Sequence, residues 1–131
     1  MADTSQVIEL TRDNFAESIN DHPFAVVDFW APWCAPCRAF APVFAAAAAK
    51  YPDIRFAKVN TEDQQELAGH FNIRSIPTLM IFRDNVIVFA EAGALQASAL
   101  DQVLGAAKAL DMEAVRREIA AQAQTPAPEG G

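Results

Sequence analysis

Hydrophobic positions along the chain alternate between two periods. FAVVDFW, residues 24–30, is nearly all apolar, as expected of a central strand covered on both faces. VIEL (7–10) and IRFAKVN (54–60) read as two further strands. TLMIF (78–82) and VIVFA (86–90) flank Arg83-Asp84-Asn85, too short a connection for a crossover, which predicts an antiparallel hairpin. Asn85 suits a positive φ in that turn. Between the strands the spacing becomes helical. TRDNFAESI predicts a helix capped by Thr11, with Phe15 and Ile19 on its apolar face. From Cys34 to about Lys50 only Pro42 interrupts; the alanine-rich second half has high helix propensity, and Pro42 is expected to kink the helix without any chemical duty. Thr61 followed by Gln64 has the spacing of a capping box. Leu100, Val103, Leu104 and Ala107 line one face of a closing helix. The order βαβαβαββα predicts an α/β fold: a central mixed five-stranded sheet flanked by helices on both faces.

The end of the chain has a different character. DMEAVRREIAAQAQ spaces Met112, Val115 and Ile119 at helical intervals, with Glu113 and Arg117 as an i,i+4 pair. Asp111 caps a separate helix, or the preceding helix runs on. TPAPEGG has the composition of a disordered tail. The predicted organisation is a domain over 1–110, a helical extension over 111–124, docked or partner-binding, and a tail over 125–131.

Composition narrows the function. With 131 residues, 52% hydrophobic and 21% charged, the chain is one globular domain with room for a core. A formal charge of -7 argues against nucleic acid or an anionic membrane as partner. MADTSQVIEL lacks the basic start and apolar run of a signal peptide. The longest apolar run, FAPVFAAAAA, is too short to span a bilayer. A cytoplasmic location is therefore expected, where a lone cysteine pair points to catalysis or metal binding more than to a structural staple.

Both cysteines lie in WAPWCAPC, residues 30–37. A helix beginning at Cys34 puts Cys34 and Cys37 on one face of its first turn. Cys34 then meets unpaired backbone N–H groups and the positive end of the helix dipole, which favour a thiolate and lower its pKa below the free-thiol value of ~8.5. Cys37, one turn deeper, is placed to resolve a mixed disulfide. Pro36 fits the first turn, where its missing N–H is not needed. Zinc needs about four ligands, and one C-x-x-C with His22 and His70 does not supply them in ligand-like pairs. A structural disulfide across two residues closes almost no loop. A C-x-x-C after an apolar strand and before a helix is a redox signature.

VVDFWAPWCAPCRAFAPVF, FAKVNTED, IRSIPTLMIF and AGAL together resemble the thioredoxin family over roughly residues 5 to 110, in its order and spacing. APWC, KVNTE and FNIRSIPT are especially similar to the second cytosolic thioredoxin of proteobacteria, though that branch's N-terminal zinc ribbon has no counterpart here. The resemblance implies a thioredoxin fold and a monomer that reduces disulfide-containing target proteins. It binds no cofactor or metal itself, and draws on NADPH indirectly through thioredoxin reductase.

The resemblance also assigns roles. Asp28 lies inside an apolar strand, where an ionised carboxylate without a partner is costly and titrates high. Read alone it is either a proton acceptor or a hydrogen-bonded structural aspartate; the resemblance makes it the group that moves the Cys37 proton, through a water. Lys58 matches the lysine facing that aspartate, although by itself it reads as a snorkelling surface lysine. SIPT resembles the family's cis-proline loop, implying a cis Ile76–Pro77 bond that frees the Ile76 backbone to pair with an extended substrate. Trp33, Ala35, Pro36 and the Gly93 loop complete the substrate surface; read alone, Trp33 is a core aromatic or an exposed one. Phe29 and Trp30 read as packing residues.

Three departures stand out: Ala35-Pro36 in place of Gly-Pro, Glu62 in place of an aspartate that holds Trp30, and the C-terminal extension. A histidine between the cysteines, typical of oxidases and isomerases on this fold, is absent. A reductase or docking module dedicated to one partner is the alternative to a general reductase.

Overall fold

The computed structural model describes residues 7–124. Its elements run β1 (Val7–Glu9), α1 (Phe15–Asn20), β2 (Phe24–Trp30), α2 (Ala35–Lys50), β3 (Arg55–Asn60), α3 (Gln65–His70), β4 (Thr78–Arg83), β5 (Val86–Ala92), α4 (Ala97–Lys108) and α5 (Met112–Gln124). The strands form one five-stranded sheet in the order β1-β3-β2-β4-β5. β1, β3 and β2 are parallel, while β4 runs antiparallel to both β2 and β5. This is the mixed sheet expected from the connection lengths.

The period-two alternation of β2 divides the interior into two cores. Val26 faces a cluster that includes Phe40 and Phe44 of α2 and Leu100 and Leu104 of α4. Ala25, Val27 and Phe29 face the other side, against Phe15 and Ile19 of α1 and the half-buried Leu67 and Phe71. Asp28 belongs by alternation to the first face, beneath α2. A carboxylate is therefore placed under the helix that begins beside Cys34.

Local details correct several expectations. Thr11 does not cap α1, which begins at Phe15 with Asn14 before it and no side-chain cap. Thr11 and Asn14 instead close the preceding turn: the Asn14 Oδ1 accepts the Thr11 N–H at 2.7 Å, and the Thr11 Oγ1 accepts the Asp13 N–H at 3.2 Å. The Thr61–Gln64 capping box does not form either. Asn60 Oδ1 takes the Glu62 N–H at 3.0 Å, Thr61 Oγ1 donates to the Trp30 carbonyl at 3.1 Å, and α3 starts only at Gln65. An asparagine one residue earlier thus holds the turn that the threonine was expected to open.

The hairpin turn is tighter than its flanking sequence suggested. Arg83 remains in β4, and Asp84 and Asn85 both have positive φ, 52° and 68°. This is the backbone of a two-residue turn that matches strand twist. α5 is a separate helix: Asp111 Oδ1 accepts the N–H groups of Glu113 and Ala114 at 3.1 and 3.3 Å. It is tied to the hairpin by Arg116 and Asp84 at 2.8 Å, and Met112 is buried. The expected Glu113–Arg117 pair is present at 3.9 Å. The expected tail over 125–131 lies outside the described residues, as do the first six residues of the expected main domain.

Candidate functional site

Cys34 stands immediately before α2 in an extended conformation (φ -91°, ψ 112°), and its Sγ accepts the Cys37 N–H at 3.2 Å. The cysteine therefore serves as the helix's own N-cap, with sulfur in the place a hydroxyl or carboxylate oxygen usually takes. Ala35 and Pro36 occupy the first turn, where the proline's missing N–H leaves no bond unmade. Cys34 and Cys37 are joined in a disulfide with their Cα atoms 5.2 Å apart. Both are largely covered, at 5% and 2% exposure, and form a small cluster with Ala31, against which Trp30 and Ile76 pack.

The surroundings of the pair are open on one side. Trp33 is 66% exposed, so of its two readings the exposed one holds. Ala35 and Pro36 are exposed beside it. The Ile76–Pro77 bond is cis, and the Ile76 carbonyl oxygen lies 3.7 Å from the Cys34 Sγ. Among the described residues the Ile76 N–H has no acceptor. Gly93 closes the loop from above: its N–H donates to the Pro77 carbonyl at 2.8 Å. Its φ of 113° strains any residue with a Cβ, although the space around it is empty. Trp33, the Ile76–Pro77 pair and Gly93 thus converge on Cys34 from three separate stretches of chain.

The buried side of the site is built by strand register. Asp28 on β2 is directly paired with Lys58 on β3. Asp28 is 4% exposed, and its Oδ1 has no hydrogen-bond partner. Burial raises its pKa from the ordinary 3.8 to about 7, with the nearby Lys58 charge acting in the opposite direction. Asp28, Lys58, Trp30 and Cys37 line one cavity of about 180 Å³, walled otherwise by apolar side chains such as Val7 and Phe44. A space of this size with polar groups on its lining is large enough for water.

Lys58 does not form an ion pair with Asp28. Its ammonium instead sits 4.9 Å from the centroid of the Trp30 ring. Trp30 was read as a packing residue; it is also a wall of the Asp28 cavity and the seat of the Lys58 charge. The signal was present in the alternation, because Trp30 lies two residues beyond Asp28 and so on the same face. The Trp30 Nε1 is buried without a partner, so Glu62 does not hold it. Among the described residues no group of three or more His, Cys, Asp or Glu is arranged to hold a metal ion. No helix there is long and apolar enough to cross a membrane.

This arrangement can carry out thiol–disulfide exchange: a sulfur pair at a helix N-terminus, an open side next to one sulfur, and a buried carboxyl in the cavity beside the other. Comparison with known proteins points the same way. Residues 6–106 match the family described as thioredoxin. A putative thioredoxin 2 of Streptomyces coelicolor is 51% identical over 118 residues, covering 90% of this chain and 88% of its own. Thioredoxin 1 of Synechococcus elongatus is 48% identical over 97 residues, 72% of this chain and 91% of the relative. Among solved structures, a thioredoxin of Plasmodium falciparum superposes with a TM-score of 0.71 at 31% identity, covering 76% of this chain and 97% of that one.

Proposed function

Because this chain belongs to the thioredoxin family, and so is a protein disulfide reductase working through the Cys34–Cys37 couple, we propose that Cys34 is the attacking thiolate and Cys37 the resolving thiol. The observation that carries this division is the position of the two sulfurs. Cys34 lies at the helix N-terminus beside Trp33 and the Ile76 backbone, whereas Cys37 lies deeper, on the cavity that contains Asp28. In the reduced protein the helix N-terminus favours the Cys34 thiolate. That sulfur attacks one sulfur of a target disulfide and displaces the other as a thiolate. Cys37 passes its proton toward Asp28 through water in the cavity, attacks Cys34, and releases the target as a second thiol.

Ile76, Pro77, Trp33, Ala35, Pro36 and Gly93 form the surface against which an extended target segment lies. The Ile76 backbone offers the first hydrogen bonds of a short added strand. Lys58, seated on Trp30, holds a positive charge beside the cavity and limits how far burial raises the Asp28 pKa. The oxidised protein is returned to the dithiol by a thioredoxin reductase that draws on NADPH, so no cofactor binds this chain. The cytoplasm suits this chemistry, because a dithiol reductant needs a compartment that keeps thiols reduced. The Streptomyces relative's name supports placing the chain beside the second bacterial thioredoxins.

The test is NADPH consumption in the presence of thioredoxin reductase and insulin, with Cys34→Ser alongside. Turnover in the parent and none in the variant is expected. No turnover in a correctly folded parent contradicts general reduction and favours a reductase or docking module dedicated to one partner.

A further inference from the structure

The basic residues of this chain are divided unequally among partners. Of its ten lysines and arginines, Arg12, Lys50, Lys108, Arg116 and Arg117 pair with carboxylates. Arg55 and Arg83 donate to main-chain carbonyls, Arg55 to Ser18 and Arg83 to Ala107 and Lys108. The other three, Arg38, Lys58 and Arg74, like Arg55 and Arg83, form no ion pair among the described residues, although acidic residues outnumber basic ones 17 to 10. Arg38 and Lys58 lie beside the dithiol, and Arg74 precedes the Ile76 segment that meets Cys34. Lys58 is turned inward over Trp30, whereas Arg38 and Arg74 are exposed.

Arg38 and Arg74 belong to the two segments that meet at the Cys34 sulfur. Arg38 lies one helical turn beyond it, with its N–H bonded to the Cys34 carbonyl at 3.1 Å. Its side chain folds back so that Nη1 donates to the Pro32 carbonyl at 2.9 Å, next to Trp33. Arg74 stands two residues before Ile76, its Nε donating to Asn72 Oδ1 at 3.3 Å. A guanidinium has five donors, and each of these two has one such bond, so both retain donors for a carboxylate. The carboxylates at this end of the sheet lie to the sides: Glu62 and Asp63 follow Asn60 at the end of β3, and Glu91 is on β5 in register with Leu79.

We propose that this reductase prefers disulfides held in extended segments with acidic side chains next to the cysteine, read by Arg38 on the Trp33 side and Arg74 on the Ile76 side. The inference rests on the reductase reading above. The preference is local. A net charge of -7 does not draw acidic partners from a distance, but an exposed arginine acts within roughly a Debye length, about 10 Å at 0.1 M salt. Glu62 and Asp63 bound the path, so the acidic side chains belong along Trp33, Cys34 and Ile76 and not across the β3 end.

The experiment uses three peptide disulfides, identical except for Glu, Gln or Lys on both sides of the cysteine. Each is mixed with the fully reduced full-length protein, and the rate of thiol release is followed by quenching and chromatography. A charge beside a cysteine also alters the reactivity of its disulfide. Each rate is therefore divided by that of the same peptide with dithiothreitol. The normalised Glu-to-Lys ratio is expected to be about threefold to tenfold at low salt, and to fall toward one at high salt. In Arg38→Gln/Arg74→Gln it is expected to fall toward one even at low salt. A ratio of one or below in the parent, or a ratio unchanged in the double variant, overturns the proposal. Equal reduction of all three peptides leaves the reductase reading standing and removes only the acidic preference. Failure to reduce the Gln peptide or 2-hydroxyethyl disulfide removes both.

Discussion

A carboxylic acid buried on β2 with one oxygen unpartnered ties folding stability to pH. Asp28 titrates near 7 in the folded chain and near 3.8 when exposed. Below about pH 4 it is protonated in both states and exerts no penalty. As the pH rises, the unfolded chain ionises first, so stability is lost progressively up to about pH 7 and then levels off. Asp28→Asn is therefore expected to exceed the parent's stability at pH 8 by up to about 4 kcal/mol, an advantage that fades toward pH 4. Urea unfolding of the oxidised proteins at the two pH values checks this; an advantage independent of pH contradicts it. The same variant separates a positioning role from a proton-transfer role. Resolution of a mixed disulfide at pH 7 is expected to slow by about tenfold to a hundredfold, and to recover at high pH, where solvent deprotonates Cys37. Stopped-flow release of a target thiol from the mixed disulfide measures it. Asp28 and the two cysteines were legible in the sequence because an acid inside an apolar strand and a C-x-x-C after it are local patterns. The seating of Lys58 on Trp30 was not, because it depends on which strand pairs with β2 and in what register.

At the scale of elements, α5 offers a comparison between two kinds of contact. Asp111 caps the helix through two backbone N–H groups, while Arg116 reaches Asp84 as a mostly exposed ion pair. Asp111→Ala is expected to lower stability by about 1 kcal/mol, and Arg116→Ala by about 0.5 kcal/mol or less. Thermal unfolding of both variants decides it, and a larger loss for Arg116→Ala contradicts the ranking. The sequence left open whether the preceding helix continued, and the structure resolves this at Asp111. The two misread helix starts have a common cause. Thr11 and Thr61 carry the right side chain, but Asn14 and Asn60 supply the carbonyl oxygens that close these turns. Which of several nearby polar residues captures a free N–H depends on where the preceding strand ends, and helical periodicity does not report that. The central strands β2 and β4 and the helix α4 were legible because each buries a continuous apolar face, and α2 because its alanine-rich second half favours a helix.

At the scale of the molecule, the sheet order brings together residues that lie far apart in the chain. Cys34 leaves β2, and the Ile76 loop enters β4, the antiparallel neighbour of β2. Asp28 and Lys58 meet because β3 lies on the other side of β2. One central strand thus leads to Cys34 beyond its end and carries the buried Asp28 carboxyl within it. In the proposed mechanism the sulfurs act in sequence, Cys34 outward on the target and Cys37 inward on Cys34. The most direct measurement is the mass of the covalent adduct formed when reduced Cys37→Ser and Cys34→Ser variants each meet a disulfide protein. A stable mixed disulfide through Cys34 is expected in Cys37→Ser, and little or none in Cys34→Ser. Equal trapping by both variants, or trapping only through Cys37, contradicts it.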